Sequence, residues 1–534
     1  MLIEPSTTVR LIQRCPLDKN YKHTYNFESK QKQAEYFQGL PGITLTKQSY
    51  QRYDAGVLTV QTTLKSVIGC NYLMFKNESY ENKWFYAFIT KTEYVNNITS
   101  KIYYTLDHLQ SWWFDFDFLE CFVEREHVDN DDIGANTVEE DVDLGPYVYE
   151  DTVEPKEGST TLRDVDIVIA YNPSLLDIAK LVANEEEEKH FIRTEGIYNG
   201  IYQGVRFFVM PNLKENVGLL SKLMTAINMT NSGGIICAFM MPRLFIPTAE
   251  EDKFQMQNKR VIMELNRNIT FDGWVPYNNK LFTAPYTSAS LTNNRGDEQT
   301  FRFELAGTYK PSKITFFVEG IFCVNPAVIA YPSYYAGGSP TNHCVQIPSY
   351  PLCTWGSDGF TEWVSNNMFS SLVTTGMNTA ATYLSPTLAR SNKSTQKGAL
   401  MRTEHDAVSN VISGTQSIFE AGQVRGSVQG DIAYSTEYGR NIWASVKRIK
   451  GEYAKKIDRY FSAYGYASHL VKVPNWNVRE KWNYIKTVGC AIRPKNDGVP
   501  AESVEIICKA CDNGLTIWNY PYTIGEYAEP NTIK

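Results

Sequence analysis

The chain has 534 residues with 52 basic and 59 acidic side chains, a net charge of −7, and an aromatic content of 13% that includes 34 Tyr and 26 Phe. That length exceeds the roughly 250 to 300 residues at which one hydrophobic core stops growing, so two or more domains are expected. The composition excludes collagen-like, disordered and small disulfide-rich classes and argues for a β-rich protein, while the missing cationic excess argues against tight binding to nucleic acid.

From Val9 to Phe122, short alternating segments such as Val57–Thr62 and Lys101–Asp107 predict a meander of antiparallel strands. Within it, Tyr72 to Phe75, Trp84-Phe85-Tyr86 and Trp112-Trp113-Phe114 gather large rings. Each ring buries roughly 150 to 250 Å² when packed, so these faces are built to be covered. From Glu126 to Glu157 twelve carboxylates face one cation, Lys156. The stretch is expected to be a solvated connection with a domain boundary near residue 160.

A buried-type strand, Val165–Tyr171, follows, then a hairpin signal at Asn199-Gly200. Leu219, Leu220, Leu223, Met224 and Ile227 recur at helical spacing before an apolar strand from Ile235 to Met241, which predicts an inserted α+β domain over 161–299. The run from Ile235 to Pro247 is too short to span a bilayer and is broken by Pro242 and Arg243. The N-terminus carries no basic leader or apolar h-region, so no secretory signal is expected. Strand patterns return at Thr300–Leu305 and Lys313–Gly320, so the first domain is expected to resume over 300–360.

Residues 361–436 are rich in Ser, Thr, Gly, Asn and Ala, with a modest helical stripe at Val408, Val411, Ile412, Ile418 and Phe419. Residues 437–534 close the chain. There, 441–450 alternate as a strand and 452–464 form a helix stopped by Gly465. Seven Lys or Arg against two acids from Arg440 to Arg459 suggest a solvated or subunit-bridging face. Cys490–Arg493 and Val504–Cys508 are expected to pair as a hairpin across Asp497-Gly498.

Motifs for chemistry are missing. None of the seven histidines sits in H-x-x-x-H or H-E-x-x-H, and no G-x-S-x-G, P-loop or dinucleotide fingerprint occurs. Asp115 and Asp117 would share a strand face opposite Phe114, Phe116 and Phe118, a pattern that a strand with one wet face also produces. Arg125 between Glu124, Glu126 and His127 suits an ion-pair network better than a general base. Glu185–Glu188 is expected to be a solvated turn. The ten cysteines are scattered, and the C-x-x-C of Cys508 and Cys511 lacks a second pair, so all are expected to be structural thiols of a reducing cytoplasm. No catalytic residue, metal site or cofactor is expected.

The aromatic block from Tyr72 to Val128, together with Tyr460–Tyr466 and Asp512–Trp518, resembles the distal tail-tube or tail-knob protein of short-tailed phages of the picovirus type. The resemblance implies a mainly β fold with an α+β insertion: antiparallel tube-wall domains that close into a hexameric ring, and an outer knob. It assigns 1–160, 300–360 and 437–534 to the wall, 161–299 to the knob, and 361–436 to a loop that fills the channel and acts on the host membrane.

The implied partners are further copies in a homo-hexamer, other tail proteins such as the upper tube and tail tip, phage DNA passing non-specifically, and the host membrane. Trp84, Phe85, Tyr86, Trp112, Trp113, Phe114 and Trp518 would then pack in the core or between copies. The loop departs from the family's apolar character, carrying Arg390, Lys393, Lys397, Arg402, Glu404, His405, Asp406, Glu420 and Arg425, so an interfacial mode fits better than spanning. His405, as the group titrating nearest neutrality, is the candidate for acid-sensitive release. Two alternatives stand beside this: a tail-tip hydrolase of cell-wall glycan using Asp115, Asp117 or Glu126, and a receptor-binding or collar protein without a channel.

Overall fold

The computed structural model describes residues 7–48, 56–176, 205–210, 234–246, 259–293, 296–306, 312–321, 326–338, 343–347, 441–496 and 498–534, together with 192–194, 197–198, 201–202, 350, 352–354 and 428–429. Its contacts divide the chain into two compact units, 1–146 with 270–286 and 449–534, and 147–269 with 287–448. The first break falls after Pro146, ahead of the boundary expected near residue 160. Strands between 298 and 354 group with those of the second unit.

The first unit is built from β1 (Thr7–Gln13), β2 (His23–Asn26), helix α1 (Lys30–Gly39), β3 (Gly42–Gln48), β4 (Val57–Val60), β5 (Cys70–Lys76), β6 (Trp84–Asn96), β7 (Thr99–Leu106), helix α2 (His108–Trp112), β8 (Phe116–Phe118) and β9 (Cys121–Glu126). After the second unit's strands come helix α3 (Gly451–Tyr464), β10 (Tyr466–Lys472), β11 (Trp482–Val488), β12 (Ile492–Pro494), helix α4 (Ala501–Asn513) and β13 (Leu515–Asn519).

A six-stranded antiparallel sheet runs in the order β3-β1-β5-β6-β7-β4. Alternation along its central strands sends side chains into two separate cores. Leu73, Phe75, Phe85 and Ala87 point to one, with Leu109 and Trp112 of α2 and Ile507 and Cys511 of α4. Tyr72, Met74, Tyr86 and Phe88 point to the other, with Phe37 of α1 and with Trp482 and Trp518. A strand buried on both faces loses the polar alternation of a half-wet one, which is why these stretches are apolar throughout.

Helices α1 and α2 are each capped locally. Ser29 accepts from Lys32 N (3.2 Å) at α1, and Asp107 accepts from Gln110 N (3.0 Å) at α2. A second sheet, in the order β2-β13-β11-β9-β10, joins the two ends of the chain through a parallel pairing of His23–Asn26 with Thr516–Asn519.

One expectation is overturned. Val504–Cys508 is no hairpin strand but part of α4. Val504, Ile507, Cys508 and Cys511 recur at helical spacing after Pro500 and before Gly514, and that period outranks the local alternation.

The second unit contains a six-stranded sheet, in the order 192–194, 206–210, 165–171, 235–242, 352–354, 428–429. It also holds a four-stranded sheet of 260–266, 313–321, 327–332 and 345–347, and another of 147–153, 443–449, 287–292 and 298–302. Short strands 197–198 and 201–202 pair antiparallel on either side of the expected Asn199-Gly200 turn.

Candidate functional site

The most conspicuous surface of the first unit lies on the sheet that ends at β10. Phe122 of β9 is paired with Val488 of β11 on one side and Val471 of β10 on the other, so the three side chains stand in one cross-strand row. They are 38%, 57% and 70% exposed, and Leu470 and Val473 beside them are exposed as well. Further along the same strands, Glu124 and Lys486 pair at 2.6 Å, and α3 lays Tyr464 against Tyr484 and Tyr460 against Arg125. Phe122 stacks on the His469 ring (6.2 Å), while Val471 and Val488 stay largely exposed, with Val471 on an edge strand beyond which no further strand follows among the described residues.

Part of the acidic stretch is drawn into the fold. The Glu140 carboxylate is fully enclosed, takes Arg125 and Lys280 (2.6 Å) as counter-ions, and accepts from Ala467 N (2.8 Å). Burial holds the Lys280 amine below its usual range against the pull of Glu140. Asp131 accepts from Tyr466 Oη (2.6 Å) and Asn279 Nδ2 donates to its carbonyl (2.8 Å), while Asp458 receives Asn278 N (3.0 Å) and Asn278 Nδ2 (2.9 Å). Burial pushes both carboxyls up. Glu126 is also pushed up by burial, although Lys472 and the Asn475 N–H pull it back. Glu126 and Glu140 are thus drawn into the fold by Lys472 and Lys280, distant cations that composition could not reveal, whereas Asp129, Asp132, Glu139, Asp141 and Asp143 are exposed, as a solvated connection requires.

Of the rings singled out in the sequence, Phe85, Tyr86, Trp112, Trp113 and Trp518 are buried within the one chain, and Trp84 and Phe114 are half-buried. Phe85 packs edge-on to Trp112 at 5.7 Å, Trp518 lies 5.2 Å from Trp482, and Trp113 Nε1 donates to Asn26 Oδ1 (3.0 Å). Their place is the intrachain core, because the six-stranded sheet, its helices and the C-terminal strands cover them. The surface left for other molecules is the apolar row, of which the sequence signalled only Phe122. Alternation of Val471-Lys472-Val473 next to a strand end was the clue to the rest.

The hydrolase candidates are not gathered. Asp115 lies outside the short β8, clamped by Lys30 (2.8 Å) and Lys83 (2.7 Å). Burial raises its carboxyl, but the two amines outweigh that and hold it low. Asp117 pairs with Lys495 (3.1 Å), and Glu126 is buried with Lys472. A groove of about 880 Å³ beside β8, lined by Asn26, Trp113, Phe118, Trp476 and Asn519 among others, includes Asp117 but neither Asp115 nor Glu126. Among the described residues no group of side chains is disposed to hold a metal ion, and no helix is long and apolar enough to cross a membrane. Val408, Val411, Ile412, Ile418, Phe419, Glu404, His405 and Asp406 lie outside the described residues, as do the helix expected at 219–227, Glu185–Glu188 and Asp497.

Comparison with known proteins places this geometry. Residues 252–532, more than half of the chain, match the family described as "Bacillus phage phi29, Tail knob protein gp9, C-terminal domain", and residues 5–117 match "Caudoviral major tail protein N-terminus". The chain belongs to the phage tail knob protein family and is a structural component of the distal tail. Tail knob protein gp9 of Bacillus phage PZA is 23% identical and that of Bacillus phage phi29 22%, each over 99% of both chains. The solved bacteriophage C1 tail knob protein, gp12, shares the fold with a TM-score of 0.59 at 12% identity, over 99% of this chain and 100% of its own.

Proposed function

We propose that the chain assembles with copies of itself into a hexameric conduit at the distal end of the tail, through which the phage genome leaves. The observation that carries this reading is the exposed apolar row of Val488, Phe122 and Val471 ending at an open sheet edge. A lone soluble protein does not profit from such a face, whereas a closed ring covers it on every copy and leaves no edge to aggregate.

In this reading the first unit forms the wall, the second unit outside 361–436 the knob, and 361–436 the loop that plugs the channel and disturbs the host membrane in an interfacial mode. His405 remains its candidate acid trigger. The net charge of −7 suits a wall past which DNA slides without being held. Other tail proteins are the partners above and below, and no catalysis is assigned, since Asp115, Asp117 and Glu126 each hold a cation.

The test is negative-stain imaging and light scattering of the purified protein beside a Phe122→Glu/Val471→Glu variant. Six-fold rings with a central pore are expected for the wild type, and smaller species of unchanged circular dichroism for the variant. A wild type that stays monomeric without any pore, or a variant that still forms rings, overturns the reading.

A further inference from the structure

Four of the ten cysteines, scattered in sequence, converge on one end of the second sheet of the first unit. Phe122 pairs with Val488, and Leu119 N donates to Ala491 O (2.9 Å), so Cys121 and Cys490 run opposite each other on adjacent segments. Cys490 N donates to Asp512 Oδ1 (3.0 Å), which holds it against the last turns of α4. That helix carries Cys508 and Cys511 one turn apart, facing the same core. The Cys490 thiol is a neighbour of the Cys508 and Cys511 thiols. All four are free, but they differ in access: Cys121 and Cys511 are buried, whereas Cys490 and Cys508 are half-exposed. Cys15, Cys70, Cys237 and Cys344 have no place in this group.

We propose that Cys490 and Cys508 form a redox modification site, in which an oxidant of the peroxide class closes a disulfide between them and ties α4 to the end of β11. One thiolate attacks a peroxide oxygen; the O–O bond breaks, hydroxide leaves, and the sulfur becomes a sulfenic acid. The second thiolate then attacks that sulfur, forming the S–S bond and expelling hydroxide. The two thiol protons convert both hydroxides to water, so two thiols and one hydrogen peroxide give one disulfide and two waters.

Accessibility selects the pair, since peroxide and the departing hydroxide need water that Cys121 and Cys511 do not see. The neighbouring Cys490 and burial push the Cys508 thiol up, so thiolate is scarce at neutral pH. Closure is therefore slow and speeds up roughly tenfold for each pH unit of added alkalinity until the thiols ionise.

The experiment treats reduced full-length protein with a modest excess of hydrogen peroxide, alkylates it in denaturant, and maps the digest by mass spectrometry without reduction. A Cys490–Cys508 linked peptide is expected, its yield rising with pH and its signal lost on reduction. Cys490→Ser and Cys508→Ser should each abolish the link, while Cys70→Ser retains it. The wild-type map decides by itself if a variant fails to fold. Recovery of both thiols as alkylated peptides, or of Cys490 linked to a different cysteine or to a second molecule, overturns the proposal.

Discussion

His127 is wholly enclosed and uses both ring nitrogens: Nδ1 accepts from Tyr484 N (2.8 Å), so the proton sits on Nε2, which faces Ser462 O (3.1 Å). A second proton on Nδ1 would point at an N–H donor. Burial, with Arg479 and Arg125 nearby, pushes the imidazole down to about 3. The unfolded chain binds that proton near pH 6.5 while the folded one does not, so acid favours unfolding. Stability present above about pH 6.5 is lost at about 1.4 kcal/mol per pH unit below it, or about 2 kcal/mol by pH 5.

His127→Gln keeps one acceptor and one donor without the titration. Urea unfolding followed by tryptophan fluorescence should report Trp482, whose Nε1 donates to the same Ser462 carbonyl (2.8 Å). Glu126, Asp131 and Asp458, pushed up by burial, act in the opposite direction and contribute equally in both proteins. The difference between wild type and variant should therefore shrink by about 2 kcal/mol between neutral pH and about pH 5. An equal loss in both proteins, or a His127 ring resonance that titrates near pH 6, refutes the reasoning.

Replacing Glu140 by Ala leaves Lys280 and Arg125 buried without their counter-ion and should cost about 3 to 5 kcal/mol, read by thermal unfolding, whereas Glu140→Leu combined with Lys280→Met should recover much of that loss. Gly465 has φ +65 and a Cβ there would lie 2.0 Å from the Glu126 carbonyl oxygen, while Gly489 has φ +67 and open space. Gly489→Ala should thus cost about 1 to 2 kcal/mol and Gly465→Ala clearly more, measured as a pair of melting temperatures. Burial lowers Lys83 to about 8 despite its bond to Asp115. Asp115→Asn should lower it further and speed acylation of that lysine near neutral pH, as read by peptide mass mapping; unchanged labelling would remove the argument.

Local pattern alone determined much of this protein. Aromatic and β-branched alternation before Phe122 implied strands; the apolar face and terminal Gly465 of 451–464 implied that helix, and order of aromatic words at both ends implied a tail-knob relative. What covers a strand is a different matter, because it is set by residues far away in the chain. Tyr72 to Phe75 reads as equally apolar whether its second face meets another copy or the chain's own Phe37 and Trp518, and only the folded chain brings the latter there.

The same holds for charge. Glu140 looks like one more solvated acid until Arg125 and Lys280 close on it, and Cys121, Cys490 and Cys508 look unrelated until β9, β11 and α4 set them side by side. Periodicity is a property of neighbours along the backbone; burial, ion pairing and thiol proximity are properties of neighbours in space. Tertiary contacts therefore moved most of the bulky rings inward and left the apolar row of Val488, Phe122 and Val471 as the surface that other molecules can use.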